Sequence, residues 1–409
     1  MFGKVIAQSV PFPNPGHEGL NVKELTSFAL DDSKDLKVSV WLQDRIMYNY
    51  SNIPGPGGTT FDSTEYYDFF RQRFRGAIDI KLVDSAGVAK AGAYAQFEYR
   101  GGWGGSSPAD SDPRGLGPTS NPYNRLQSRG IRYGFVYYNH NKHLNFSVGI
   151  LPLTDRVGRV LFDADWDFNV GGITIGGKCN KGNYRLGYVR LIDGVGDASI
   201  NRFGYNSDLY LFDYNYPFKE SFELGLHAYG LNIPNALNVS IPAPDTTKSQ
   251  IWTALTVKTK LDPLTLNFMV LLNNGEVNSQ KHSGMALKLE GSTDIGKLKF
   301  AFQGLYTTGD EVDSLGTAKV SKRFVTLHQI VGTAGFWGYT HIFTPNGPSD
   351  VNDLGLEIGN RGAGLIAIQA KLDFPVVKDK LKTKLVKKLI TNQLGTASSF
   401  FVHEQNKHW

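Results

Sequence analysis

Between residues 69 and 82 the chain reads FFRQRFRGAIDIKL, with Arg71, Arg73 and Arg75 on every second position. In an extended strand residues i, i+2 and i+4 share a face. Arg71, Arg73, Arg75, Ala77, Asp79 and Lys81 therefore form one row, and Phe70, Phe74, Ile78, Ile80 and Leu82 form the other. Like charges placed directly side by side destabilise a sheet. Such a row belongs where water screens it and where carboxylates or anionic solutes can pair with the guanidiniums. The chemistry on offer is recognition of anions by donors that stay charged at every physiological pH.

A second charged stretch is GILPLTDRVGRVLFDADWDFNVGG, residues 149–172. Asp155, Arg156 and Arg159 precede Asp163, Asp165 and Asp167, which would share one face if the backbone were extended. A mixed Asp/Arg cluster can narrow or bias a pore, as rings of charge do in channels, and it can equally be an ordinary charged turn. Asp-x-Asp-x-Asp also opens a calcium loop. Counted from Asp163, however, the glycine due at the sixth position is Phe168 and the glutamate due at the twelfth is Thr174. Calcium is the weaker reading, and no cofactor is expected.

Other signatures of chemistry are missing from the sequence. GGWGGSS at 101–107 lacks the Lys-Ser/Thr of a phosphate-cradling loop, so a flexible external loop is expected there. The nine histidines are scattered, and a single cysteine, Cys179, excludes an internal disulfide and a Cys-x-x-Cys motif. Glu223 and His227 project from one face of FELGLHAYG, but a water-lined wall accounts for them as well as catalysis does, and no enzyme is expected.

The elements that would position these residues are strands. The 409-residue chain holds 25 Phe, 19 Tyr and 46 Gly, a composition of strands and turns. No stretch approaches the roughly 18 apolar residues of a membrane-spanning helix. The mean hydropathy of −0.27 does not settle the membrane question, because a transmembrane barrel alternates outward-apolar with inward-polar residues. Basic and acidic residues nearly balance at 43 and 38, and with no basic patch of the needed kind no nucleic-acid partner is expected.

Period-two alternation recurs in KVSVWLQDRIMYNY (37–50), AKAGAYAQFEYR (89–100), IRYGFVYYNH (131–140), DLYLFDYNYPF (208–218), IWTALTVKTKL (251–261) and LIAIQAKLDF (365–374). In the first, Asp44 interrupts the apolar row, which implies a bulge or a short lipid-facing stretch. Arg45 falls on the polar side of that strand, and Glu98 and Arg100 fall on the polar side of the second. IRYGFVYYNH and LNFSVGI read as a hairpin turning at His140-Asn141-Lys142. KDKLKTKLVKKLITNQL (378–394) fits a strand or a basic amphipathic helix, with the strand favoured. Short polar turns alternate with long Gly/Pro/Ser/Asp-rich loops at 101–124, 232–249 and through much of 308–362. The expected fold is an all-β transmembrane antiparallel up-and-down barrel of about 16–18 strands, with long loops at one end and short turns at the other. Such a barrel has a watery lumen. Residues 1–35 read as an irregular lead-in and 36–409 as a single domain, although FFVHEQNKHW lacks the clean alternation of a closing strand.

At QRFRGAIDIKL and GILPLTDRVGRVLFDADWDF the chain resembles outer-membrane channels of the alginate-export family and related substrate-selective porins. The resemblance covers about the first 190 residues. It implies that Arg71, Arg73, Arg75, Arg156 and Arg159 line a conduit and meet anionic solute, with Asp163, Asp165 and Asp167 at a constriction. The reading is a channel of the bacterial outer membrane, bathed in lipid, that passes small hydrophilic or polyanionic solutes. The lining set is Arg45, Arg71, Arg73, Arg75, Glu98, Arg100, Arg156, Arg159, Asp163, Asp165 and Asp167. The rivals are a barrel sheathing a partner protein in its lumen, a barrel enzyme using Glu223 and His227, and a soluble β-sandwich.

Overall fold

The computed structural model describes residues 24–29, 35–51, 67–102, 131–164, 168–193, 206–232, 237–240, 244–277, 279–312, 318–327, 335, 337–339, 357–377, 381–391 and 397–407. Eighteen strands among them form one sheet. The first half comprises β1 (Glu24–Ala29), β2 (Leu36–Ser51), β3 (Tyr67–Val83), β4 (Ala89–Gly102), β5 (Ile131–Asn141), β6 (Leu144–Pro152), β7 (Asn169–Cys179), β8 (Gly182–Asp193) and β9 (Asn206–Lys219). After it come β10 (Phe222–Asn232), β11 (Leu237–Ser240), β12 (Pro244–Leu261), β13 (Leu264–Val277), β14 (Gln280–Ile295) and β15 (Leu298–Thr307). A small ribbon of β16 (Glu311–Val312) and β17 (Ala318–Val320) precedes β18 (Leu365–Val377), β19 (Leu381–Thr391) and β20 (Ala397–Lys407). Each long strand pairs antiparallel with its predecessor in the chain, β15 passing directly to β18. Connections at 84–88, 142–143, 180–181, 220–221, 262–263 and 296–297 are tight and lie at one end, opposite the long ones.

The pleat sorts the residues. On β3, Phe74, Ile78, Ile80 and Leu82 are exposed, Ile78 by 42%, while Arg75, Ala77 and Asp79 between them are buried. The same holds around the sheet: Val136, Val148, Ile173, Leu186, Phe212, Leu255, Leu272 and Ile368 face outward and stay uncovered, whereas Gln96, Arg132, Arg185, Asp213, Lys288, Gln303 and Gln369 face inward and are buried. This inverts a sandwich, which hides its apolar face against a second sheet. Each large apolar side chain left in water forfeits about 1.5–3 kcal/mol relative to burial. The belt therefore requires lipid, and the soluble-sandwich rival fails on that ground.

The sheet wraps around an interior. Side chains of β5, β8, β10 and β14, far apart in strand order, all reach the segment 153–164 that links β6 to β7. A polar inner wall with inward-folded chain is the interior of a barrel.

Several local expectations change. Residues 24–29 lie inside the stretch expected to be irregular, yet they form β1 against Lys37–Trp41 of β2. Asp44 causes no bulge: the β2–β3 register runs unbroken from Leu36↔Leu82 to Ser51↔Tyr67, with Asp44 opposite Phe74. The β5–β6 turn sits at Lys142–His143, one residue later than expected, because the Asn141 Oδ1 accepts from the N–H groups of His143 (2.7 Å) and Leu144 (3.0 Å). Residues 381–391 are the strand β19 and not a helix, and the poorly alternating C-terminal stretch is β20, paired with β19 from Ala397 to Lys407. Backbone pairing outweighs weak side-chain patterning there, since every backbone group at membrane depth needs a partner.

Candidate functional site

Two pieces of chain fold into the lumen and leave space between them. The first, 153–164, is fastened to the wall by its backbone. The Arg132 guanidinium (β5) and the Tyr133 hydroxyl donate to the Ala164 carbonyl at 2.7 and 2.8 Å. Arg185 (β8) donates to the Thr154 carbonyl at 3.0 Å, and Lys288 (β14) to the Gly158 carbonyl at 2.8 Å. The Arg156 N–H donates to the Tyr229 hydroxyl (β10) at 3.1 Å. Behind this, Asp213 of β9 organises a buried cluster: it takes Arg185 at 2.6 Å, the Tyr229 hydroxyl at 2.6 Å and His227 at 2.7 Å, while the other His227 nitrogen meets Thr256 at 2.9 Å.

The second piece, within 321–364, is held in the same manner. Trp252 (β12) donates to the Val325 carbonyl at 2.8 Å and Asn273 (β13) accepts the Val325 N–H at 2.9 Å. Gln303 (β15) donates to the Trp337 carbonyl at 2.8 Å, and Gln369 (β18) accepts the Tyr339 N–H at 2.8 Å. Arg323 and Asp310 pair at 2.6 Å at its base. The two pieces touch where Gly335 lies against the backbone of Arg159 and Val160, leaving no room for a Cβ.

Between them and the wall is a cavity of about 260 Å³ lined by Gly158, Arg159, Lys288, Glu290, Gln303, Trp337, Gly338 and Tyr339. Lys288 is buried and pairs with Glu290 at 2.8 Å; Arg159 is half exposed, at 52%, with Asp163 3.4 Å away. Burial pushes the Tyr339 hydroxyl above its ordinary range, so it stays a neutral donor, here to the Phe302 carbonyl at 3.0 Å. A wider cleft of about 600 Å³ lies near the long-loop end, bordered by Ser249, Asn274, Glu276, Lys281, His282 and Ser321.

The residues singled out from sequence part ways here. Arg75 is inward but buried, paired with Glu98, which also takes Arg132 at 2.7 Å. Arg45, Arg73 and Arg100 occupy one register row across β2, β3 and β4, and Arg71 sits opposite Met47 and Gly102; the side chains of these four lie outside the described residues. Arg156 and Arg159 belong to the first inward piece. Asp163 is not on an extended face: β6 ends at Pro152, β7 begins at Asn169, and the Asp163 carboxylate is buried, accepting from Thr154 at 3.2 Å. Asp165 and Asp167, expected to share a face with it, lie outside the described residues. Glu223 accepts from Asn215 at 3.0 Å, and His227 is locked in the Asp213 cluster.

Arg132, Arg185, Asp213, Tyr229 and Lys288 carry the anchoring and escaped the sequence reading. Their signal is an isolated polar group at inward parity in an otherwise apolar strand, as in YLFDYNY and MALKLEG.

No family model and no curated protein matches the chain. Among solved structures, a loop-L8 deletion mutant of OmpT, an outer membrane protein of Vibrio cholerae, aligns over 91% of this chain and 99% of its own at 9% identity and TM-score 0.48. The outer membrane protein opdK of Pseudomonas aeruginosa aligns over 91% and 87% at 11% identity and TM-score 0.49. The outer membrane channel DcaP of Acinetobacter baumannii aligns over 91% and 96% at 11% identity and TM-score 0.46. The chain's own apolar outer belt, polar inner wall and alternation of short turns with long loops make it a transmembrane β-barrel, an architecture of the outer membrane.

Proposed function

We propose that the protein is a channel of the bacterial outer membrane through which small hydrophilic solutes diffuse, anions in preference. The observation that carries this reading is the cavity between the two inward pieces. Its lining presents the half-exposed Arg159 and the buried Lys288 against a single carboxylate, Glu290, while Asp163, the partner of Arg159, is buried behind that lining. A fixed positive potential in a narrow, low-dielectric passage raises the local concentration of anions. The row of Arg45, Arg73 and Arg100 would add to that potential along the wall. Arg75 contributes less, because Glu98 neutralises it.

The size of the cavity favours small anions over extended polyanions, so an alginate-type cargo would need the inward pieces to move. Those pieces also occupy space that a threaded partner protein would require, which makes the sheath reading the weaker one.

Planar-bilayer recording under a salt gradient tests the proposal. The expected reversal potential has the sign of anion preference and falls toward zero in Arg159→Ser and Arg73→Ser. Cation preference that neither substitution changes would overturn it.

A further inference from the structure

The first inward piece is ordered from within by one carboxylate. Asp155 Oδ1 accepts the N–H groups of Val157 (3.0 Å) and Arg159 (2.7 Å), and Oδ2 accepts those of Leu161 (2.7 Å) and Phe162 (3.0 Å). The Asp155 N–H in turn donates to the Phe162 carbonyl at 3.0 Å, which closes the segment on itself. The bend needs left-handed backbone at Gly158 (φ +89°) and Arg159 (φ +60°). A non-glycine residue persists in that conformation only where its surroundings over-determine it.

The two sets of bonds divide the work. The wall takes the carbonyls of Thr154, Gly158 and Ala164, which fixes where the piece sits. Asp155 takes four N–H groups that point inward, which fixes its shape. Four N–H donors on one carboxyl group lock it into the turn. Buried N–H groups left without an acceptor are destabilising. With the carboxylate gone, the turn has no reason to hold Arg159 at its tip, and the wall contacts alone tolerate a looser path.

We infer that Asp155 is the positioning residue of the constriction: its carboxylate sets the aperture and presents Arg159 to the passing solute. This rests on the channel reading above. Asp155 touches no solute itself, so its effect reaches conduction only through the turn it holds.

The test uses the full chain, folded and reconstituted in planar bilayers, as wild type, Asp155→Ala, Asp155→Asn and Arg159→Ser. Arg159→Ser, which removes the charge and leaves the turn, should reduce the reversal-potential offset without added current noise. Asp155→Ala should reduce the offset too, and in addition show raised, noisier conductance, while its heat-modifiable migration in detergent gels stays that of a folded barrel. Asp155→Asn, which keeps one accepting oxygen, should fall between. Wild-type conductance and offset in Asp155→Ala would overturn the inference, as would loss of the folded barrel in both Asp155 variants, since the residue would then serve folding and not position. A wild-type protein that does not conduct would overturn the channel reading instead, an outcome distinct from either.

Discussion

The ammonium of Lys288 on β14 stands 2.8 Å from the carbonyl oxygen of Gly158, a residue 130 positions earlier, and the same ammonium pairs with Glu290 at 2.8 Å. One side chain thus ties the wall to the first inward piece and supplies part of the charge at the cavity. Lys288→Met should lower anion preference and loosen the inward piece, since a bond to a charged donor contributes about 1.5–3 kcal/mol. The measurement is the reversal potential together with single-channel noise; an unaltered offset would show that this lysine is neutralised as far as the solute is concerned.

The Arg185–Asp213 pair behind the first inward piece has both side chains at 0% exposure. Removing one partner strands a buried charge, at a cost of about 3–5 kcal/mol. Asp213→Ala should therefore lower the denaturant midpoint of the folded barrel sharply, and adding Arg185→Met should recover much of the loss. A double variant as weak as the single one would contradict the stranded-charge account.

The outward face of β3 makes a complementary prediction. Ile78→Arg puts a charge on the lipid side, where arginine costs about 2–4 kcal/mol at the bilayer midplane and less near the interfaces. Folding into lipid vesicles, followed by denaturant titration, should show a loss within that range. A neutral result would mean that Ile78 does not meet lipid.

The β3–β4 turn should respond to pH. Asp84 Oδ1 accepts the N–H groups of Val88 (2.9 Å) and Ala86 (3.0 Å), and Lys90 lies 3.2 Å away. These donors, Val88 foremost, hold the Asp84 carboxyl below its ordinary value. A lowered folded value means that the stabilisation is present above the unfolded pKa, about 3.9, and is lost as pH falls through the folded one. Amide protection at Ala86 and Val88 should drop on acidification below about pH 4, and Asp84→Asn should abolish that step.

How far the fold could be read from residue order depends on the range of the physics involved. In FFRQRFRGAIDIKL the two faces follow from the pleat alone, so the separation of Ile78 and Ile80 from Arg75 and Asp79 could be read locally. β19 could be told from a helix only narrowly, because KLKTKLVKKL satisfies both periods. β20 could not be read from side chains at all, since its pairing with β19 is a matter of backbone satisfaction.

The site was less accessible still. That Glu98 joins Arg75 to Arg132 requires three strands in register. That Asp155, and not the Asp163 triplet, organises the second charged stretch requires a turn that brings residues 157, 159, 161 and 162 onto one carboxylate. By itself, then, the sequence determined most of the long strands, the alternation of turns and loops, and which face the residues of those strands take, because these follow from geometry between near neighbours. Only the tertiary structure decided which inward charges are buried against one another and which, like Arg159 beside Asp163, stay half exposed. That outcome depends on two loops folding back onto distant strands, and no local periodicity encodes contacts of such range.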